Sequence, residues 1–213
     1  DTEVTIGYTP DEIDVQTRLR LDRRRRATLS ARLRPHLDAS RLTLQSLSAR
    51  LGANRWQLLQ PAEFSYAGPY RLERFLLSSG NQQIAADGRI DPTGRQSFIA
   101  TVEQVRLDPL AGLFGFPGLG GEVSGSARLS GPADAPRLDG RLDAALTSEG
   151  TSVGTLQLDL GYDSLSVSVD AALEHVDGQR LTARGRLPAD LRLKRSPPVD
   201  TGDRPVSLAV AAD

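Results

Sequence analysis

The stretch Val105–Leu146, VRLDPLAGLFGFPGLGGEVSGSARLSGPADAPRLDGRLDAAL, decides the fold. Within Glu122–Ser130, Val123, Gly125, Ala127 and Leu129 fall on one side of an extended chain. Glu122, Ser124, Ser126, Arg128 and Ser130 fall on the other, because successive side chains of a strand point to opposite faces. After a turn over Gly131-Pro132-Ala133-Asp134-Ala135-Pro136 the beat resumes, with Leu138, Gly140, Leu142 and Ala144 opposing Arg137, Asp139, Arg141 and Asp143. One segment breaks this beat. Asp108 can cap a helix with Pro109 in its first position, Leu110, Leu113 and Phe114 then share a face, and Gly115 and Pro117 stop it, which puts a short helix near residues 109–115. Little more than one turn cannot stand alone. Leu110, Leu113, Phe114 and Phe116 therefore need an apolar partner, either as a plug packed into the sheet or as a gate that narrows passage across it.

Working outward, the same period of two covers most of the chain. Toward the N-terminus, Val4, Ile6 and Tyr8 precede a turn at Thr9–Glu12. Ile13, Val15, Thr17, Leu19 and Leu21 then oppose Asp14, Gln16, Arg18 and Arg20, and Ala27, Leu29, Ala31 and Leu33 follow the run Arg23–Arg26. Residues 39–51 also fit a helical spacing through Leu44, Leu47 and Leu51. The two period-two pieces Leu42/Leu44 and Leu47/Ala49/Leu51 favour a strand kinked near Gln45-Ser46. Trp56, Leu58, Phe64, Tyr66, Leu72, Phe75, Leu77, Ile84, Ala86, Gly88, Ile90, Phe98, Ala100 and Val102 continue the pattern. Hairpin connections are expected at Gly80-Asn81 and Asp91–Gly94. Toward the C-terminus, Leu156, Leu158, Leu160 and Tyr162 lead to a turn at Gly161–Ser164. Leu165, Val167, Val169, Ala171 and Leu173 follow, then Leu181–Leu187, a pair at Leu191/Leu193, a flexible charged Pro-rich loop over 195–205, and a last strand with Val206, Leu208 and Val210. This amounts to ~14 strands joined by short turns, so antiparallel pairing is expected.

Composition narrows the class. A chain of 213 residues, 25% charged and with net charge −1, is long enough for one large or two small domains and offers no polyelectrolyte partner. The arginine run reads as a solvated hairpin tip in preference to a nucleic-acid patch, since aromatic residues for base stacking are few. Cysteine is absent, so neither disulfides nor thiolate metal sites hold the fold. No apolar run reaches 18 residues and no signal peptide opens the chain. Starting at Asp1 without methionine, the sequence reads as an excised part of a longer protein.

Nothing in the sequence reads as catalytic, and no cofactor or metal is expected. His36 and His175 lack metal-ligand spacing and fit strand ends. No G-x-S-x-G elbow is present, Gly118–Gly121 lacks dinucleotide-loop spacing, and Asp87-Gly88 and Asp91–Gly94 are turn chemistry without the calcium ligand order. Three architectures accommodate the alternation. A closed β-sandwich buries the inner rows between two sheets. An outer-membrane barrel faces lipid outward, but these strands look short for a span and the polar face is heavily charged. A curled trough keeps an apolar interior that needs a ligand or another layer to cover it.

The segment Trp56-Gln57-Leu58, then Gln60-Pro61-Ala62, then Leu72-x-x-Phe75-x-Leu77-x-Ser79-Gly80-x-Gln82-x-Ile84-x-x-Asp87-Gly88, resembles the repeated pattern of the TamB family, the inner-membrane subunit of the translocation and assembly module, among the AsmA-like, bridge-like lipid transfer proteins. So do Leu119-Gly120-Gly121-x-Val123-Ser124-Gly125, Leu129-Ser130-Gly131-Pro132 and Ala135-Pro136-x-Leu138-x-Gly140, and the strands Leu156–Tyr162, Leu165–Leu173 and Gly178–Leu187. The likeness covers residues 40–190. It implies that residues 1–213 form one elongated open β-taco from a longer periplasmic protein anchored in the inner membrane. It also implies a BamA-like outer-membrane barrel of the TamA type as partner of the full-length protein, and roles in phospholipid transport and outer-membrane protein assembly. The function expected is a hydrophobic conduit for phospholipid acyl chains between inner and outer membranes. Its expected wall is Val123, Leu129, Leu138, Leu142, Leu156, Leu158, Leu160, Val167 and Val169. A scaffold that templates unfolded strands by β-augmentation and a closed structural sandwich without ligand remain alternatives. Nucleic acid is not an expected partner.

Overall fold

A computed structural model describes residues 2–20, 26–113, 116, 118–163, 165–193 and 206–212, with the side chains of residues 19, 20, 26, 112 and 113 excepted. Fifteen strands form one sheet. They are β1 (Thr2–Thr9), β2 (Glu12–Arg20), β3 (Arg26–His36), β4 (Arg41–Leu51), β5 (Asn54–Leu58), β6 (Ala62–Ser65), β7 (Tyr70–Ser79), β8 (Gln82–Ile90), β9 (Arg95–Arg106), β10 (Leu119–Pro132), β11 (Arg137–Ser148), β12 (Thr151–Asp163), β13 (Ser166–His175), β14 (Arg180–Pro188) and β15 (Ser207–Ala212). Each pairs antiparallel with its sequence neighbours. The exception is a split level, where β5 and β6, interrupted around Pro61, both lie between β4 and β7. The all-β antiparallel meander read from the period of two is the fold.

The alternation explains why a meander forms. Every strand has one face to keep from water and turn residues at its ends, so the next strand pairs at once and no crossover is needed. The hairpin at Ser148–Thr151 shows the turn chemistry: Glu149 and Gly150 both have positive φ, 52° and 82°, the twist a two-residue connection requires.

The sheet is interrupted by bulges, which bend the bulged strand and raise the local twist. Gln45 is left over where Arg32 faces Ser46 and Leu33 faces Leu44, so the kink expected near Gln45-Ser46 is a β-bulge. Three further shifts fall between Leu72 and Phe75, between Val123 and Gly125, and between Leu146 and Thr147. Two bulge residues carry a left-handed backbone held from the side: the Arg74 amide (φ 61°) donates to Asp87, and the Gln104 amide (φ 52°) donates to Ser124 Oγ at 2.9 Å. Gly121 marks another close approach. Its φ is 123°, and a methyl group there would stand 1.9 Å from the Ala145 carbonyl oxygen of the next strand.

The short helix is α1 (Asp108–Leu113). The Ala111 amide closes on the Leu107 carbonyl at 2.8 Å, so Leu107 takes the cap place expected of Asp108. The Asp108 carboxylate instead lies over Gly120, 2.6 Å from where a methyl there would sit, and pairs with Arg106 at 3.7 Å. Two other expectations are corrected. Strand β12 runs on through Asp163, so the turn expected at Gly161–Ser164 comes later, at Leu165 with φ 65°. Leu191 and Leu193 do not form a strand; their amides are taken by other segments, as described below. The tip residues Arg23–Arg25 and the loop 195–205 lie outside the described residues.

Candidate functional site

Residues directly opposite in an antiparallel ladder share a face, so the register settles which apolar residues stand together. Phe98, Leu129, Leu138, Tyr162 and Val167 form one row across β9 to β13. Val102, Gly125, Leu142, Leu158 and Ala171 form the next. Gly140, Leu160 and Val169 make a third, and Val123, Ala144, Leu156 and Leu173 a fourth. All nine expected wall residues therefore fall in four adjacent rows on one face of neighbouring strands. The rows extend to residues not among those nine: Leu77 and Ile84 continue the Val102 row, and Leu72 and Gly88 continue the Phe98 row. On the far side of the chain Ile6, Val15, Ala31 and Leu47 align in the same manner. The opposite face carries charge, as in the row Ser126, Arg141, Asp159, Asp170 and Arg184.

All nine wall residues are half-buried. Among the described residues the buried hydrophobic side chains are Trp56, Ala62, Val105, Ala111, Ala133, Ala144 and Tyr162, with no leucine, isoleucine or phenylalanine. A two-layer core of this size would bury many leucines completely. Each of the nine keeps part of its surface accessible.

The rims of this face are ordered by polar contacts. At one rim, Asp91 Oδ1 accepts from the Thr93 amide (2.9 Å), the Thr93 hydroxyl (3.1 Å) and the Gly94 amide (2.9 Å), while Oδ2 accepts from Arg89. Arg89 first, and then the Thr93 amide, hold this carboxyl down to about 2. Residues 189–193 lie along the same rim: the Ala189 amide donates to the Leu165 carbonyl (3.1 Å), the Leu191 amide to the Tyr162 hydroxyl (3.0 Å) and the Leu193 amide to the Ala133 carbonyl (3.0 Å). Tyr162 is only 3% exposed, and Arg192 forks onto Asp190 through two 2.9 Å bonds. The sequence pattern could not show this strap, because backbone amides make it and the aromatic hydroxyl that receives one of them sits in an apolar row.

At the opposite rim α1 returns the chain to β10. Of the expected plug or gate residues, Leu110 is half-buried and Phe116 is 62% exposed, so Phe116 is not seated in the sheet. Phe114 and the Leu113 side chain lie outside the described residues. Among the described side chains of α1 the buried one is Ala111. His36 ends β3 with Nε2 3.0 Å from Thr43 Oγ1, and His175 ends β13 beside Asp177 at 3.2 Å. Among the described residues no group of three or more His, Cys, Asp and Glu is placed to hold a metal ion, and no helix is long and apolar enough to cross a membrane.

No protein-family model matches the chain, and no curated protein or solved structure matches it either.

Proposed function

We propose that this chain is a hydrophobic conduit for phospholipid acyl chains, serving lipid transport between the inner and outer membranes and so outer-membrane biogenesis. The observation that carries the reading is the registered apolar face, whose leucines in β10–β13 are half-buried, with no leucine buried in a core among the described residues. An acyl chain laid along it gains about 0.8 kcal/mol per fully covered methylene. A groove covering half of each methylene over 14 carbons would gain roughly 5 kcal/mol, enough for reversible holding. The rows of Leu, Val, Ala and Gly offer similar contacts at each strand, so no single position would trap the chain. The bulges and the close approach at Gly121 favour a sheet that curls instead of lying flat. Fourteen strand levels at ~4.8 Å give a path of about 65 Å.

In this reading the resemblance to the TamB family supplies the setting: the periplasm, an inner-membrane anchor and a BamA-like barrel partner belonging to the full-length protein. Native mass spectrometry of protein extracted in mild detergent tests it. Co-purifying phospholipid is expected, and recovery of lipid-free protein alone would contradict the conduit. A second reading, a scaffold that templates unfolded outer-membrane strands, draws on β1 and β15, each of which pairs on one side only among the described residues. It predicts crosslinked protein at those edges and none of the lipid adducts expected on the apolar rows.

A further inference from the structure

The polar face of the sheet is not uniform. Over most of it arginines stand opposite carboxylates: Arg32 faces Asp14, Arg141 faces Asp159, Arg184 faces Asp170 and Arg180 faces Glu174. Where Arg71 faces Arg89, each has its own acid, Glu73 and Asp91. At the end of β2–β5 the rule fails. Arg50 faces Arg55, with Arg18 in the same cross-strand row as Arg50 through Thr28. Arg18, Arg50 and Arg55 are exposed, and among the described residues the one carboxylate in ion-pair reach of these three is Glu3, 3.3 Å from Arg18. Like charges directly opposite destabilise a ladder, so this arrangement works against the fold unless an anion meets it. The imbalance is local: residues 12–60 hold eleven arginines and four carboxylates in a chain whose net charge is −1.

Beside the arginine row the face is hollowed. Short Ser30, Ser46 and Ser48 lie between the longer Arg32, Gln16 and Gln57, leaving an open depression of about 410 Å³ that the Asp14 carboxylate also lines, with Arg32 paired to Asp14 and Glu12 at 3.1 Å each. Arg32 is thus already met by carboxylates, and the exposed guanidinium groups that suit phosphate oxygens are those of the neighbouring row, Arg18, Arg50 and Arg55. No aromatic side chain stands on this part of the polar face to stack a base.

We propose that the polar face of β2–β5 is a docking surface for an anionic phospholipid bilayer, with Arg18, Arg50 and Arg55 meeting head-group phosphates. It lies on the face opposite the apolar rows and stands whether or not those rows hold acyl chains. Each arginine near such a surface is worth about a fivefold change in partitioning, screened by salt.

Flotation with vesicles tests it, comparing phosphatidylcholine alone with phosphatidylcholine plus phosphatidylglycerol, at low and high salt. The wild-type chain should float with the anionic vesicles at low salt only. The double substitution Arg50→Glu/Arg55→Glu should lower binding by more than about tenfold, and Arg186→Glu, the same change on the polar face of β14, should leave it unaltered. The single change Arg55→Glu turns a repelling pair into an attracting one, so it should weaken flotation while leaving the melting temperature equal or higher. Equal binding to neutral vesicles, an unaffected double variant, or displacement from the vesicles by duplex DNA would overturn the proposal.

Discussion

Strands β1 and β12 carry the same two-residue beat, yet they end in opposite conditions. Every residue of β1 is exposed, Ile6 at 66% and Tyr8 at 68%, whereas the apolar side of β12 is half-buried throughout Leu156, Leu158 and Leu160. The difference is in the neighbours. Strand β12 is registered on both sides, with β11 and β13, while β1 has β2 alone. Alternation thus specifies a strand and its faces but not its burial, and a partner on each side is not sufficient for it, since β14 pairs with both β13 and β15 and still exposes Leu181 and Leu187. The apolar face is a collective property of the ladder, and its hydrophobic stabilisation is concentrated in the long central strands.

Substitutions at glycine should separate the two regions most. Gly121→Val in β10 drives a side chain into the backbone of β11 from a positive-φ position and should cost about 3 kcal/mol or more, or prevent folding. Gly7→Val in β1 meets only ordinary contact, Asp14 Cβ at 3.7 Å, and should change stability by less than about 0.5 kcal/mol. Urea unfolding of both variants makes the comparison. Next in size, Leu158→Ala should cost about 1–2 kcal/mol and Ile6→Ala under about 0.5 kcal/mol, as the areas already withdrawn from water differ. Equal losses would place β1 in the same packed environment as β12.

The rim contacts give smaller effects. Asp91 titrates at about 2 in the fold, below the ordinary 3.8. A depressed folded value means that its stabilisation is fully present above about pH 4 and is lost as pH falls from there toward about 2. Asp91→Asn should flatten the melting curve against pH over that window, and an unchanged slope would show that Asp91 does not contribute. Tyr162→Phe removes the acceptor of the Leu191 amide and should cost about 1 kcal/mol. Faster hydrogen exchange at the Leu191 amide, with β12 unaffected, is the expected signature.

The elements that follow from side-chain periodicity were readable in the sequence. The beat of Val123–Leu129 and Leu138–Ala144 placed β10 and β11, the two offset period-two pieces in β4 placed the bulge at Gln45, and Asp108-Pro109 placed the start of α1 to within a residue. Elements written in backbone groups were not readable. The bulges at Arg74 and Gln104 use left-handed conformations that neither residue type advertises, and they persist because Asp87 and Ser124 accept their amides. The pair Leu191/Leu193 looked like a strand, but its amides meet Tyr162 and Ala133 across several strands. The candidate wall was legible as a set of residues. Its assembly into four rows depended on register, which local sequence does not state, and so did the opposition of Arg50 to Arg55.

The sharpest comparison available is between two adjacent residues. Leu158 and Asp159 occupy the same strand one position apart and point to opposite faces. A photoreactive side chain placed at each in turn, in cells, reads out what each face touches. The conduit account predicts phospholipid adducts at position 158 and not at 159. Lipid adducts at both positions alike, or at neither, would contradict it.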